Sequence, residues 1–213
     1  MVGADIITTS KSMNVLGVIF DSKLQWTEHV AKAISKSGRA LNALKLIRKY
    51  FNMKELISLV TSNYFSILLY NSEVWQSPSL KENLKHAVFV ASSQALNLCN
   101  HYSDPSISYY NLHKLTKRAT PAMYSNYKNA ILLHKTFNAT TSSVEWQHLN
   151  FSVINTSRQR TFMITRSNRS KIGMNATCNK FVHLNGKIPL EWLNLNINSF
   201  KIKCKKLFLS FDP

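Results

Sequence analysis

From Trp26 to Phe51 the apolar residues Val30, Ile34, Leu41, Leu44, Ile47 and Phe51 recur every three to four positions. That spacing lines one side of an α-helix and matches no side of a strand, so the stripe must be buried against other elements. Asn52 followed by Glu55 resembles a capping box, and Met53, Leu56, Val60, Tyr64, Ile67 and Leu68 carry a second helix to at least Tyr70. Ser79 with Glu82 is another S-x-x-E cap, opening a third stripe of Leu80, Leu84, Ala87, Ala91, Ala95 and Leu98. Phe89 lies on the opposite face of that helix, which places the helix centrally in a bundle. A short helix is expected near Ser106–Leu115. Thr120-Pro121 reads as an N-cap with Pro at the first helical position of a helix running to about Phe137.

The helical pattern fades at both ends. Residues 13–20, MNVLGVIF, form one short strand, with Gly17 marking a bulge or a close backbone approach. Past Asn138 the texture turns to Asn, Thr and Ser with short apolar pieces, Phe151–Ile154 and Thr161–Ile164, and a boundary falls near 139–144. Ile197, Phe200, Cys204, Leu207, Phe208 and Phe211 fit a helical face; Phe200, Ile202 and Cys204 alternating with lysines also fit a strand, and the helix is favoured. The expected fold is mainly α: a helical bundle preceded by one short strand, with a basic irregular or α+β extension ending in a helix. A chain of 213 residues is long enough to build such a core without disulfide or metal support.

Charge is the second constraint. The chain has 27 Lys and Arg against 10 Asp and Glu. Residues 1–100 carry 11 basic and 6 acidic groups, and residues 101–213 carry 16 and 4. Between Arg158 and Lys206 eleven cations face only Glu191, a density that repels itself unless a polyanion sits nearby. Nucleic acid is therefore the expected partner. Cys99, Cys178 and Cys204 are odd in number and too widely spaced for a disulfide framework or a C-x-x-C half-site, which favours an intracellular setting, nucleus or cytoplasm. No run approaches 18 apolar residues, so no membrane partner is expected.

Two-metal phosphoryl chemistry needs clustered carboxylates, and the acids here never fall as D-D, D-x-D or E-x-x-E. The seven histidines never pair as H-x-x-x-H and read as surface or half-buried groups. No phosphate-binding glycine loop or nucleophile elbow occurs. The expectation is a chain that is not itself an enzyme, with no catalytic residue, no metal ligand and no cofactor of its own.

The segment Leu16-Gly17-Val18-Ile19-Phe20-Asp21-Ser22-Lys23-Leu24-Gln25-Trp26-Thr27-Glu28-His29-Val30 resembles the L-G-V-x-x-D-x-x-L-x-W-x-x-H-[IV] stretch of non-LTR (LINE-type, jockey-like) retrotransposon reverse transcriptases. Ser66 through Trp75, Lys117–Pro121 with Tyr127-Lys128, and Asn179-Lys180-Phe181, Ile188-Pro189-Leu190 and Trp192-Leu193-Asn194 are similar to later parts of the same proteins. The resemblance implies residues 1–24 as a remnant of the last palm strand, 25–138 as an α-helical thumb-like bundle and 139–213 as a basic C-terminal extension. It implies a truncated RNA-directed DNA polymerase: the [FY]-x-D-D strand, the Mg2+ it holds, and the fingers would lie upstream of Met1. Leu16, Gly17, Asp21, Trp26, His29 and Trp75 carry the motif, with both tryptophans as packing anchors where helices meet the strand.

A thumb grips its template–primer duplex through phosphates, which requires basic groups on the face opposite the core. At 100° per residue from Val30, Lys32, Lys36 and Arg39 fall at about 200°, 240° and 180°, while Ile34, Leu41 and Leu44 stay within about 40° of zero. Denser clusters are Arg158, Arg160, Arg166, Arg169 and Lys171, and Lys201, Lys203, Lys205 and Lys206. These twelve side chains are the candidate contacts to an RNA or DNA backbone. Tyr50, Phe51, Tyr109, Tyr110 and Trp192 are available for base stacking, with core packing the favoured role. The remaining partners expected are the absent palm and fingers, or a second copy of the chain joined through Val15–Phe20, a strand left without ladder partners.

Overall fold

The computed structural model describes residues 10–76, 80–99, 107–138, 150–155, 160–165 and 181–210. The protein is mainly helical, with a short antiparallel hairpin at the N-terminal end of the described chain. β1 (Ser12–Val15) pairs with β2 (Val18–Asp21), Val15 opposite Val18. The run expected as one strand is thus folded in two. Leu16 and Gly17 between them take φ of 49° and 84°, and left-handed conformations at both central positions suit the tight turn that matches strand twist. β2 therefore has a ladder partner, contrary to the expectation of an unpaired Val15–Phe20; among the described residues the outer edge of each strand in this two-stranded sheet has no strand neighbour.

α1 (Thr27–Ile47) buries Val30, Ala33, Leu41 and Leu44 and turns Lys32, Lys36 and Arg39 to solvent, as its periodicity requires. α2 (Met53–Leu59) starts in the capping box: the Glu55 N–H donates to Asn52 Oδ1 at 3.0 Å, and the Asn52 N–H donates to Glu55 Oε2 at 2.8 Å. The helix then widens into a π-helical stretch (Val60–Phe65) before α3 (Ser66–Leu68). Widening lets Val60, Tyr64, Phe65 and Leu68 all reach the core. Polar side chains cover the loosened backbone, with Thr61 Oγ1 donating to the Ile57 carbonyl at 2.6 Å and Asn63 Nδ2 to the Leu59 carbonyl at 3.0 Å.

After a left-handed Asn71, α4 (Ser72–Trp75) drives Trp75 into the core, where it is fully buried. α5 (Glu82–Cys99) packs against α1, α2, α7 and the short α6 (Tyr109–Leu115), the central position its two apolar faces imply. Ser79, the cap expected before it, lies outside the described residues, as does the expected boundary at 139–144. α6 begins at Tyr109, capped by Ser108. α7 (Pro121–Phe137) opens as expected, with Thr120 Oγ1 accepting from the Met123 N–H and Pro121 in the first turn.

Two hydrophobic cores result. The first joins β2, α1, α2, the π stretch, α4 and α5. The second joins Ala130 and Leu133 of α7 to Phe181 and Leu184 in a 3-10 turn (Phe181–Leu184), Ile188, Leu193 of α8 (Leu190–Leu193) and Phe200, Cys204 and Phe208 of α9 (Ile197–Leu209). α9 settles the helix-or-strand alternative: Phe200, Cys204 and Phe208 share one face at a spacing of four. His134 Nε2 donates to the Leu195 carbonyl at 2.8 Å and Asn138 Nδ2 to the Leu193 carbonyl at 2.9 Å, tying α7 to the end of α8. A second hairpin, β3 (Asn150–Asn155) with β4 (Arg160–Thr165), runs beside α8, and its strands coincide with the apolar pieces of the sequence. No described helix is long and apolar enough to cross a membrane.

Candidate nucleic-acid interface

The motif residues first build a junction. Asp21 closes β2 and caps the entry to α1: its Oδ1 accepts from the Lys23 and Gln25 N–H groups at 3.0 and 2.9 Å, its Oδ2 from the Trp26 N–H at 2.7 Å. Burial alone raises a carboxyl's pKa, but these backbone donors outweigh it and hold Asp21 below its ordinary value. The clamp fixes left-handed backbones at Leu24 and Trp26, with φ of 49° and 64°. The Trp26 side chain is buried against Phe20, ring centres 5.2 Å apart. His29 sits between Trp26 and Trp75, and its Nδ1 accepts from the Ile19 N–H at 3.3 Å. A ring that accepts at Nδ1 is neutral with its proton on Nε2.

Three histidines read as surface or half-buried are in fact buried: His29, His113 and His134. Each satisfies a backbone group across elements, a job invisible to spacing rules. His113 Nδ1 donates to the Arg118 carbonyl at 2.9 Å while the Arg118 N–H donates to the His113 carbonyl at 2.9 Å. With Lys117 N–H donating to the Lys114 carbonyl and Lys117 left-handed at φ 51°, α6 ends in a Schellman turn that fixes Lys117 and Arg118 in space.

That turn lines a cleft of about 790 Å3. Thr61 and Phe65 of the π stretch, Ser66 of α3, Tyr70, Glu73 of α4 and one face of α9 line it as well. Five cations line it: Lys117, Arg118, Lys128, Lys205 and Lys206, with Glu73 the one acid. Lys128 Nζ lies 3.9 Å from Glu73 Oε1 and 5.6 Å from the Tyr124 ring centre. Arg118 lies over the Phe65 ring at 5.8 Å, and partial burial lowers its pKa from a value so high that it stays charged. A smaller cavity of about 390 Å3 under the β1–β2 turn is lined by Lys32, Lys36 and His29. Ser66 and Tyr70 line both, so the cavities adjoin.

The twelve candidate residues divide accordingly. Lys32, Lys36, Lys205 and Lys206 line the two cavities. Arg39, exposed on α1, lines neither. The α9 cluster splits because Lys201 and Lys203 project to either side of the cleft face, Lys203 Nζ lying 5.1 Å from the Trp192 ring centre. Arg160 opens β4; Arg158, Arg166, Arg169 and Lys171 lie outside the described residues. The cleft adds four residues outside the twelve, Lys117, Arg118, Lys128 and Tyr70, all in stretches that carry the resemblance. Tyr50, Tyr109 and Tyr110, expected mainly in the core, are exposed.

Among the described residues no three His, Cys, Asp or Glu side chains converge as a metal site. Burial pushes the Cys99 and Cys204 thiols up to about 11 and about 12, which suppresses thiolate chemistry at neutral pH. Burial, with Lys32 nearby, lowers the pKa of His29, and burial lowers that of His113 against its two backbone hydrogen bonds. Both rings resist protonation when folded and accept it near 6.5 when unfolded. Stability is therefore fully present above that value and falls as pH drops through it toward the lowered folded values. Thermal unfolding should show a lower Tm at pH 5.5 than at pH 7.5, and a Tm unchanged across that interval contradicts the assignment of neutral, buried rings. No protein-family model, curated protein or solved structure matches the chain.

Proposed function

We infer that the protein binds nucleic-acid backbones through the paired cavities, as a thumb-like module with a basic extension of the kind found in non-LTR retrotransposon reverse transcriptases. The observation that carries this reading is convergence: Lys117, Arg118, Lys128, Lys205 and Lys206 come from three separate stretches of sequence to one cleft with a single acid. Cations confined in a concave, partly apolar wall raise the local potential beyond what scattered surface charges achieve. Phosphate contacts of this kind carry no base information, so binding is insensitive to sequence. The motif's own residues support the same reading indirectly, because Leu16, Gly17 and His29 line the smaller cavity. Polymerase kinship rests on the resemblance alone.

Fluorescence anisotropy with a labelled oligonucleotide tests the reading. Log K should fall linearly with log salt, with a slope of roughly 0.7 per phosphate engaged on a single strand, and should change little when the sequence is scrambled. Affinity that is absent at 50 mM salt, or that ignores salt, removes the reading.

Self-association is the second reading. Met13 and Val15 of β1 and Leu16 of the turn are exposed, and the outer edge of β1 has no strand partner among the described residues, a surface suited to pairing with another strand. Sedimentation velocity over a range of concentrations distinguishes a monomer from that outcome.

A further inference from the structure

Tyr70 stands where the two cationic cavities meet, and it is held there on three sides. The residue is 49% exposed. Its hydroxyl donates to the Leu16 carbonyl at 3.3 Å. Its ring edge lies against Gly17, where an added Cβ would come 3.5 Å from Cε1. Its own carbonyl accepts from Trp75 Nε1 at 2.8 Å. Leu16, Gly17 and Trp75 are all motif residues: the first two restrain the exposed ring, and the third anchors the backbone that carries it.

Lys32 and Lys36 line one of the cavities that Tyr70 borders; Lys117, Lys128, Lys205 and Lys206 line the other. A backbone tracking from one group to the other passes over Tyr70. We propose that the cavities take a single strand, with one unpaired base stacked on Tyr70 and the flanking phosphates held by α1 on one side and by α9 and the Lys117 turn on the other. This rests on the nucleic-acid reading above and narrows it. Bases in a duplex already stack on their neighbours and offer no free face to a lone ring, whereas a single strand does. A cleft of about 790 Å3 is the size of a small-ligand site, suited to a nucleotide and its neighbours. The ring needs no ordering on binding, so stacking is gained at little loss of entropy.

The test uses the full chain, a labelled dT12 strand and a 12-base-pair duplex at one salt concentration. The single strand is expected to bind more tightly than the duplex. Tyr70→Leu should weaken dT12 binding by roughly 5- to 10-fold, near the lower end for one stacked base, and leave its salt slope unchanged. Tyr70→Phe, which keeps the ring, should stay within about 2-fold of the unaltered chain. A strand carrying 2-aminopurine at its centre should lose fluorescence on binding the unaltered protein, a readout independent of any variant. Stacking is overturned if the duplex binds as well as the single strand, if a folded Tyr70→Leu variant binds dT12 normally, or if bound 2-aminopurine keeps its fluorescence. The nucleic-acid reading survives each of those results; failure of both probes to bind removes both.

Discussion

Replacing Lys117, Lys128, Lys205 and Lys206 together by Gln is expected to weaken single-strand binding by roughly 10²- to 10³-fold at 0.1 M salt, and to reduce the salt slope by about 2.8, since each phosphate contact contributes about 0.7. The four side chains are exposed or half-exposed; Lys128 pairs with Glu73, and among the described residues the other three form no ion pair. Substitutions at such positions shift stability by about 0.5 kcal/mol or less each, so the variant should fold. Lys45, Lys49, Lys54 and Lys135 provide the control, because they are exposed and line neither cavity. Changing those four to Gln removes the same net charge and should leave most of the affinity. Equal losses from the two sets mean that diffuse charge, and not the cleft, governs binding.

Trp75→Ala should have the largest effect on stability. The indole is fully buried in the first core, packs 5.4 Å from the His29 ring and donates to the Tyr70 carbonyl. Truncation leaves a cavity, an unmet carbonyl and a histidine without its neighbour, a loss of about 3–5 kcal/mol. Domains of this kind hold only about 5–15 kcal/mol in all, so a large part of the reserve goes at once. Urea unfolding followed by circular dichroism checks it, with Trp192→Ala, which removes a half-buried ring, as the milder comparison. A loss below about 1 kcal/mol at Trp75 contradicts the packing role.

Much of the fold was legible in the sequence because it depended on local rules. The Asn52–Glu55 box, the Thr120-Pro121 start and the period of α1 are local patterns, and each appears where it was expected. The N-terminal hairpin was hidden because Leu occupies a left-handed turn position that Asn or Asp usually marks. The π stretch was hidden because its cause is tertiary: adjacent Tyr64 and Phe65 both need burial. Only half of the candidate site was readable. Periodicity places Lys32 and Lys36 opposite the core, but Lys117 and Lys128 look like ordinary surface charges until the Schellman turn and α7 bring them beside α9. The lysine run from 201 to 206 reads as one cluster, and helical geometry sends its members to different surfaces. The burial of the histidines is hidden for a related reason, as their partners include backbone atoms 5 to 61 residues away and, for His113, the hydroxyls of Ser92 and Ser93.

Lysine footprinting on the full chain tests the central claim most directly. The protein is acetylated under limiting conditions with and without excess dT12, and each site is quantified by mass spectrometry. The expected result is protection of Lys32, Lys36, Lys117, Lys128, Lys205 and Lys206, with Lys45, Lys54 and Lys135 modified at the same rate in both samples. Protection spread evenly over all lysines, or absent from the cleft while the oligonucleotide is bound, contradicts it.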